Sequence, residues 1–260
     1  MHRTYLSHTQ LAMMLKCPRQ YYYRYIEGVR TPANGALILG SAGHSACEAN
    51  YSEKIHTKRD LPVEQLIDVF ATAFDYKKAN EDVVLGSKEP KWGELKDLGV
   101  KMVKLFREEV APQNQPRLVE QDWEVSLGED FPWGLRVILD LVTTDDEIID
   151  NKFYGKTPAP GSADSDIQLS TYALGFRIET GRIESGLKID AMIKLKTPKY
   201  VPMQTTRTEA EIRWHIGMIE ELGRQIHTGL FPPNPTGWWC NKRWCGFWDR
   251  CKGGQTKETS

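Results

Sequence analysis

The stretch GLRVILDLVTTDDEIIDNKFYGK, from Gly134 to Lys156, is the most informative part of this chain of 260 residues. Asp140 ends one apolar segment, an acidic turn follows, and a second apolar segment carries Asp150, Asn151 and Lys152. Alternate side chains of a strand share a face, so Asp150 and Lys152 are expected to point the same way. If the two segments pair as a hairpin, Asp140 returns beside them. Two carboxylates and one ammonium group then suit a divalent cation and a phosphate.

The same residues also have a less specific interpretation. Charged side chains at strand ends are often only solvated, and Asp145, Asp146 and Glu147 are expected to form a solvated polar turn. A three-residue D-x-K pattern also occurs often by chance. The catalytic interpretation therefore depends on support from other parts of the chain.

Two pairs of residues at helical spacing supply such support. The segment LGSAGHSACEANY is expected to be a glycine-rich turn leading into a helix, on which His44 and Glu48 share a face. A neutral imidazole is a good ligand for Mn²⁺, although a surface histidine would give the same pattern. In IQLSTYALGF, Gln168 and Tyr172 also share a face and suit contacts with a water, a phosphate or a base. An ordinary amphipathic helix with a polar edge is the alternative.

The cysteines form a third, independent pattern. Three of the five lie in WWCNKRWCGFWDRC as Cys240, Cys245 and Cys251, and Cys17 near the N-terminus is the expected fourth partner. Four thiolates fit a [4Fe–4S] cluster or a structural Zn²⁺. The first residues lack the apolar core of a signal peptide, which argues against a disulfide scaffold. The lack of tight C-x2-C pairs favours iron–sulfur over zinc, and Cys47 is expected to be a buried helix residue.

Taken together, these motifs resemble the PD-(D/E)XK nuclease superfamily, in the RecB-like branch that carries an iron–sulfur cluster. That branch has a Cys-Pro near the N-terminus, a histidine at a helix start, an Asp at a strand end, a D/E-x-K strand, a Q-x-x-x-Y helix and three C-terminal cysteines. The matching residues occur in the same order, namely Cys17-Pro18, Gly40 to His44, Asp140, Asp150 to Lys152, Gln168 to Tyr172, and Cys240, Cys245 and Cys251. The resemblance runs from about residue 7 to residue 251. One departure is the C-x4-C spacing, because the first two C-terminal cysteines are often closer in relatives.

The resemblance implies a Mg²⁺- or Mn²⁺-dependent deoxyribonuclease that leaves a 5′-phosphate. The implied catalytic residues are Asp140, Asp150, Lys152, Gln168 and Tyr172. The implied metal ligands are His44, Asp140, Asp150 and the backbone carbonyl of Asn151. Lys152 would orient the attacking water or stabilise the charge that develops in the transition state, and Gln168 and Tyr172 would hold the DNA strand.

Capping signals and periodicity predict the remaining elements. Ser7 and Gln10 form a capping box for a first helix that should end before Pro18. The predicted helices cover 63–78, 93–110, 167–180 and a segment from Thr208 to near Gly229, and the predicted strands cover 118–127, 135–142, 148–153 and 187–195. This order is the αβββαβ core of a restriction-endonuclease-like α/β fold with a mixed sheet.

The predicted organisation is a single nuclease domain over residues 1–251. A helical insertion is expected at about 52–111, and a cysteine segment at 231–251 is expected to join the N-terminal region through the iron–sulfur cluster. The tail at 252–260 is expected to be disordered.

Charge and hydropathy limit the classes of partner. The formal net charge is −1, whereas many DNA-binding proteins are clearly basic, so phosphate contacts would come from local patches near the cysteines. The tyrosines at 21–23 and 25 either stack on single-stranded bases or, as the alternative, pack around the cluster. No apolar run is long enough to predict a membrane helix.

The function expected from the sequence is an exonuclease acting on DNA ends or single strands, in the cytoplasm of a bacterium or encoded by a phage. The first alternative is a DNA-end binding or adaptor protein that keeps the fold. The second is a zinc-stabilised structural protein with an incidental D-x-K. The sequence contains no nucleotide-binding P-loop, so unwinding would require a helicase, recombination or adaptation partner.

Overall fold

The computed structural model describes residues 4–86, 90–128 and 131–253. A six-stranded mixed sheet forms its centre. The strands are β1 (Thr4–Ser7), β2 (Pro116–Ser126), β3 (Trp133–Thr143), β4 (Glu147–Tyr154), β5 (Gly186–Ile193) and β6 (Lys199–Thr205). Strands β2, β3 and β4 are antiparallel neighbours, β5 is parallel to β4, β6 is antiparallel to β5, and β1 is parallel to β3. The predicted mixed α/β sheet is confirmed.

Helices cover both faces of this sheet. They are α1 (His8–Lys16), α2 (Pro18–Tyr21), α3 (Gly35–Thr57), α4 (Val63–Asn80), α5 (Trp92–Leu105), α6 (Ile167–Thr180), α7 (Glu209–His227) and α8 (Trp248–Lys252). Helix α2 continues into a π-helical turn at Tyr22–Ile26, and α5 continues through Phe106–Val110. Helices α4 and α5 lie in the range predicted as an insertion, and their status as an insertion stays a prediction.

The helices form two layers, each packed on one face of the sheet through its own hydrophobic core. Leu11 of α1, Phe176 of α6 and Ile219 of α7 belong to the first core, on one face of the sheet. Leu39 of α3 and Phe70 of α4 belong to the second core, on the other face, together with residues of α5. The sheet is therefore the middle of three layers, which is how α/β domains bury both faces.

The predicted capping boxes are present. The hydroxyl of Ser7 accepts from the backbone N–H of Gln10, and the side chain of Gln10 accepts from the backbone N–H of Ser7 at 2.8 Å. Helix α1 ends at Lys16, before Pro18, as predicted. Thr208 and Glu211 form the same arrangement at the start of α7.

Strands β1 and β6 are absent from the predicted set. Strand β1 has only four residues, and Ser7 serves both as its last residue and as the cap of α1. Strand β6 pairs with β5 and contains Pro202, which sequence rules count against a strand. Proline is tolerated there because β6 is an edge strand.

The expected glycine-rich turn before His44 is wrong. Helix α3 begins at Gly35, where the side chain of Asn34 accepts from the backbone N–H of Leu37 at 2.8 Å. His44 therefore lies in the middle of the helix. Glycine is needed at position 43 of the helix for close packing, because a Cβ there would lie 2.3 Å from the ring of Phe153.

Asp146 is not the solvated turn residue that the sequence predicts. Its side chain is buried and forms ion pairs with Arg117 and Arg182. Arg117 lies on β2 and Arg182 follows α6, so both partners are distant in sequence.

At the C-terminus, Lys252 is the last residue of α8. The disordered tail predicted at 252–260 is therefore wrong at Lys252, and its residues beyond Gly253 lie outside the described residues. In the described part of the chain, no helix combines the length and apolar character needed to cross a membrane.

Candidate active site

The candidate site lies where the sheet forks between β3 and β4. One edge of β3 pairs with β2 along most of its length. The other edge pairs with β1 at Trp133–Arg136 and with β4 at Leu141 and Val142. Asp140 and Asp150 directly follow the β3–β4 pairing on the side where the two strands separate. The fork therefore gives both carboxylates an opening in an otherwise continuous sheet.

Asp140 is held by contacts from two elements. Its Oδ2 accepts from the backbone N–H of Asn151 at 3.0 Å and lies 3.3 Å from Nδ1 of His44. The N–H and C=O of one extended residue point to the same strand edge, so the carbonyl of Asn151 also faces the fork. Of the predicted metal ligands, His44, Asp140 and the backbone of Asn151 therefore lie together, whereas the carboxylate of Asp150 contacts Lys152 and Gln168.

Lys152 lies between Asp150 and Gln168. Its Nζ is 2.9 Å from Oδ2 of Asp150 and donates to Oε1 of Gln168 at 2.9 Å. The amide nitrogen of Gln168 donates to the other carboxylate oxygen of Asp150 at 3.1 Å. The three side chains therefore close a ring of hydrogen bonds. Asp150 and Lys152 share a face of β4, as the alternation predicted, and Gln168 lies on the predicted helix that faces them.

Helix α6 fixes the position of Gln168. Asp166 caps the helix by accepting from the backbone N–H groups of Gln168 and Leu169. The amide of Gln168 also donates to the hydroxyl of Tyr172 at 2.6 Å. Tyr172 is only 1% exposed and its hydroxyl contacts Gln168, and its predicted contact with the DNA strand stays a prediction.

His44 reaches the fork because α3 packs closely on the sheet. Gly43 contacts the ring of Phe153 on β4, and the rings of His44 and Phe153 are 5.8 Å apart. Glu48, predicted to share the face of His44, is exposed one turn further along. It is close enough to raise the pKa of Glu120.

Glu120 is a site residue that sequence reasoning missed. It stands on β2, opposite Asp140 in the strand register. A carboxylate oxygen of Glu120, one of Asp140 and a ring nitrogen of His44 lie within 4.8 Å of one another. Burial, together with the charges of Asp140 and Glu48, raises the pKa of Glu120 to about 7. The sequence carries no motif for this residue, because its approach depends on a local irregularity of the strand.

His8 is the second missed residue. It begins α1, and its ring lies edge-on to Tyr172 with centroids 6.0 Å apart. Burial and the charge of Lys152 lower its pKa to about 4, so the ring is neutral at pH 7. The capping box predicted a helix start at this point, but only the pairing of β1 with β3 brings that start to the fork.

The charges in the site oppose one another. Burial alone would raise the pKa of Asp140, but the hydrogen bond and charge of His44, with Lys152, lower it. Burial and the neighbouring Asp140 raise the pKa of Asp150. The carboxylates raise the pKa of Lys152 against the effect of its own burial, so this lysine keeps its proton at neutral pH. The site holds more carboxylates than fixed cations, which favours binding of a divalent cation.

The four predicted cluster ligands also come together. Cys17, Cys240, Cys245 and Cys251 line one pocket. The side-chain amide of Gln20 donates to Sγ of Cys245 at 3.3 Å, and the backbone N–H of Asn234 donates to Sγ of Cys17 at 3.4 Å. Cys47 is buried in α3, as predicted, and takes no part in this pocket.

The fold and the forked site define a nuclease of the restriction-endonuclease-like class. The family model of the PD-(D/E)XK nuclease superfamily matches residues 5–252, and the chain belongs to that superfamily. No curated protein matches the sequence significantly.

A solved structure with a TM-score above 0.5 agrees at the level of the fold. The "putative exonuclease" of Eubacterium rectale aligns with a TM-score of 0.63 at 14% identity, over 98% of this chain and 90% of that chain. A second solved structure, SSO0001, aligns over 95% of this chain and 96% of that chain at 13% identity, with a TM-score of only 0.38.

Proposed function

We propose that this protein is a Mg²⁺- or Mn²⁺-dependent deoxyribonuclease that acts as an exonuclease on DNA ends or single strands. The convergence of Asp140, Asp150 and Lys152 at the fork of the sheet carries the proposal. Asp140, Asp150, His44 and the carbonyl of Asn151 supply oxygen and nitrogen donors that suit either ion. A divalent cation bound there would neutralise the scissile phosphate and lower the pKa of a water.

The residues of the chain have separate tasks in this proposal. Lys152 stays protonated, so it acts as a hydrogen-bond donor to the attacking water or to a phosphate oxygen, and not as a general base. Gln168 is a positioning residue, because it holds the ammonium of Lys152 and the carboxylate of Asp150 in one arrangement. Tyr172 in turn fixes the amide of Gln168.

A groove lies beside the start of α1, the start of α3 and the cysteine segment. It has a volume of about 550 Å³ and is lined by residues that include Thr9, Arg24, Arg30, Leu37 and Phe247. Thr9 follows the site residue His8, and Leu37 lies two turns before His44 on α3. Arg24 and Arg30 suit phosphate contacts, but Glu81 and Asp82 also line the groove, so its formal charges balance.

The exposed tryptophans of the cysteine segment are better placed than the buried tyrosines to stack on DNA bases. Tyr21 and Tyr23 are buried, so the core-packing alternative applies to them. Trp238 and Trp244 are 70% and 55% exposed, and their ring centroids are 5.7 Å apart. Arg243 lies over the ring of Trp244. Aromatic rings beside basic side chains are the usual platform for single-stranded nucleic acid.

A [4Fe–4S] cluster bound by Cys17, Cys240, Cys245 and Cys251 is the cofactor proposed for the pocket, with structural Zn²⁺ as the alternative. The C-x4-C-x5-C spacing lacks tight C-x2-C pairs, which favours the iron–sulfur cluster over zinc. When bound, it would join the two ends of the chain and stabilise the fold.

An anaerobic cleavage assay tests the proposed function. End-labelled single- and double-stranded DNA is incubated with Mn²⁺, Mg²⁺ or EDTA. The absorbance of the same protein sample is recorded at about 400 nm. Wild type is expected to degrade DNA only with the metals, Lys152→Ala is expected to be inactive, and Lys156→Ala, in the exposed loop after β4, is expected to match wild type. Folded, coloured wild type that cleaves nothing would favour the DNA-end binding or adaptor role instead.

A further inference from the structure

Glu120 occupies an irregular position in an otherwise regular strand pair. Val119 pairs with Leu141 and Gln121 pairs with Leu139, so Glu120 stands opposite Asp140 with no residue inserted in either strand. The φ angle of Glu120 is 46°, in the left-handed region that a glutamate rarely adopts. The chain thus holds an unfavourable backbone conformation at the residue that faces the proposed metal-binding aspartate.

The irregularity changes which side chains share a face. Leu139 packs in the first hydrophobic core, whereas Leu141, two residues on, packs in the second. On β2, Val119 packs in the second core and Val125 in the first. Residues an even number apart on a regular strand would share a face. Both strands therefore switch faces in the region of Glu120 and Asp140, and the two carboxylates leave the usual alternation together.

The donor atoms that result suit a single ion. Glu120 and Asp140 each offer one carboxylate oxygen and His44 one ring nitrogen, all within 4.8 Å of one another. Six-coordinate Mg²⁺ with bonds of about 2.1 Å places neighbouring donors about 3 Å apart and opposite donors about 4.2 Å apart. The separations in the structure, which are at most 4.8 Å, are of the same order.

We propose that Glu120 is a protein ligand of the divalent cation bound at Asp140, and this inference rests on the proposed metal-dependent function. The cation is then held from three strands and a helix: Glu120 on β2, Asp140 on β3, the Asp150 region on β4 and His44 on α3. The motifs read from the sequence cover the last three and omit the first.

Direct titration of the purified full-length protein with Mn²⁺, without DNA, tests this role. Free Mn²⁺ is counted by its electron paramagnetic resonance signal. Glu120→Gln is expected to weaken Mn²⁺ binding at least about tenfold, as loss of a ligand does. Glu48→Gln removes the same charge from a nearby exposed residue, and Glu124→Gln removes it from an exposed residue of the same strand. Both are expected to stay within about threefold of wild type, as removal of an exposed charge does.

Glu120→Asp separates ligation from simple charge. This variant keeps the negative charge and shortens the side chain by one methylene. A ligand role predicts weaker Mn²⁺ binding, whereas a purely electrostatic role predicts unchanged Mn²⁺ binding. It also serves if Glu120→Gln fails to fold, which circular dichroism reveals. Wild-type affinity in both Glu120 variants would overturn the proposal while the metal site itself stood. Wild type that binds no Mn²⁺ would overturn both this inference and the proposed function.

Discussion

Lys152 and Gln168 are joined by a hydrogen bond of 2.9 Å from Nζ to Oε1, across the gap between β4 and α6. The bond lets a neutral side chain fix the direction of a charged one. Because the other end of the same amide donates to Asp150, one residue controls both charged groups of the D-x-K motif.

Gln168→Ala is expected to lower kcat by about 10- to 100-fold, the usual effect of losing a residue that orients a catalytic group. Lys152 loses one of its two acceptors, whereas the cation ligands remain, so Mn²⁺ affinity should change little. Steady-state cleavage at saturating Mn²⁺ measures the first effect and metal titration the second. Tyr172→Phe removes only the hydroxyl that fixes the amide and should cost less activity. Equal activity in Gln168→Ala and wild type would contradict the positioning role.

Two glycines of α3 provide a matched pair. A Cβ at Gly43 would lie 2.3 Å from the ring of Phe153, whereas a Cβ at Gly40 would meet no described residue within 4 Å. Gly43→Ala is expected to destabilise the fold by about 1–3 kcal/mol through overpacking and to displace His44 from the fork. Gly40→Ala should stabilise the helix by up to about 1 kcal/mol. Thermal unfolding measures both, and a stable Gly43→Ala variant would show that the sheet and helix can separate at low cost.

His215 is expected to make stability depend on pH. Burial, with the charge of Arg207, lowers its folded pKa from 6.5 to about 4. The hydroxyl of Thr171 donates to the carbonyl of Ile167 and therefore accepts from Nε2–H of His215, which leaves Nδ1 buried with no hydrogen-bond partner among the described residues. The neutral ring is thus the form that fits the fold.

Between the folded and unfolded pKa values of His215, the unfolded chain binds the additional proton, so stability falls as pH drops below about 6.5. From pH 7.5 to pH 5 this residue alone should cost about 2 kcal/mol. Urea denaturation at both pH values measures the loss in wild type and in His215→Gln, in which the difference should shrink by that amount. An unchanged pH dependence in the variant would show that other groups cause it.

The cysteines provide a test with an internal control. Cys245→Ala is expected to give colourless, poorly soluble protein, because the cluster no longer joins the two chain ends. Cys47→Ala, in a buried cysteine of α3 outside the pocket, should keep the colour. Absorbance after anaerobic purification measures the outcome. A coloured and stable Cys245→Ala would contradict the assigned ligand set, and zinc in colourless wild type would select the alternative metal.

The exposed tryptophans are expected to bind bases. The double variant Trp238→Ala, Trp244→Ala should bind single-stranded oligonucleotides about tenfold or more weakly, since each stacked base contributes about 1–3 kcal/mol. Trp214, which is equally exposed but lies on α7, provides the control as Trp214→Ala. Fluorescence anisotropy with a labelled oligonucleotide in Ca²⁺ measures affinity without cleavage. Equal binding by the double variant and the control would place the DNA elsewhere.

Local sequence signals predicted much of the fold and of the site. Alternation along β4 put Asp150 and Lys152 on one face, and helical spacing brought Gln168 and Tyr172 together. Capping boxes located α1 and α7. These features depend on residues within a few positions of one another, which is the range over which sequence rules operate.

The features that sequence reasoning missed depend on distant contacts. Asp146 is buried by arginines from two other elements. Glu120 approaches the site only through a left-handed backbone conformation that no neighbouring residue requires. His8 reaches the site only because β1 pairs with β3, and Gly43 is explained by the ring of Phe153 and not by a turn.

The pairing of β1 with β3 has a consequence for synthesis on the ribosome. Thr4 pairs with Trp133, so the first strand has no partner until 129 further residues have been translated. At about 5–20 residues per second this delay is roughly 6–26 s. Throughout that interval Leu6 and Leu11, both fully buried in the native protein, are exposed on the nascent chain. We therefore expect a chaperone to protect Leu6 and Leu11 until β3 has been translated and the site can form.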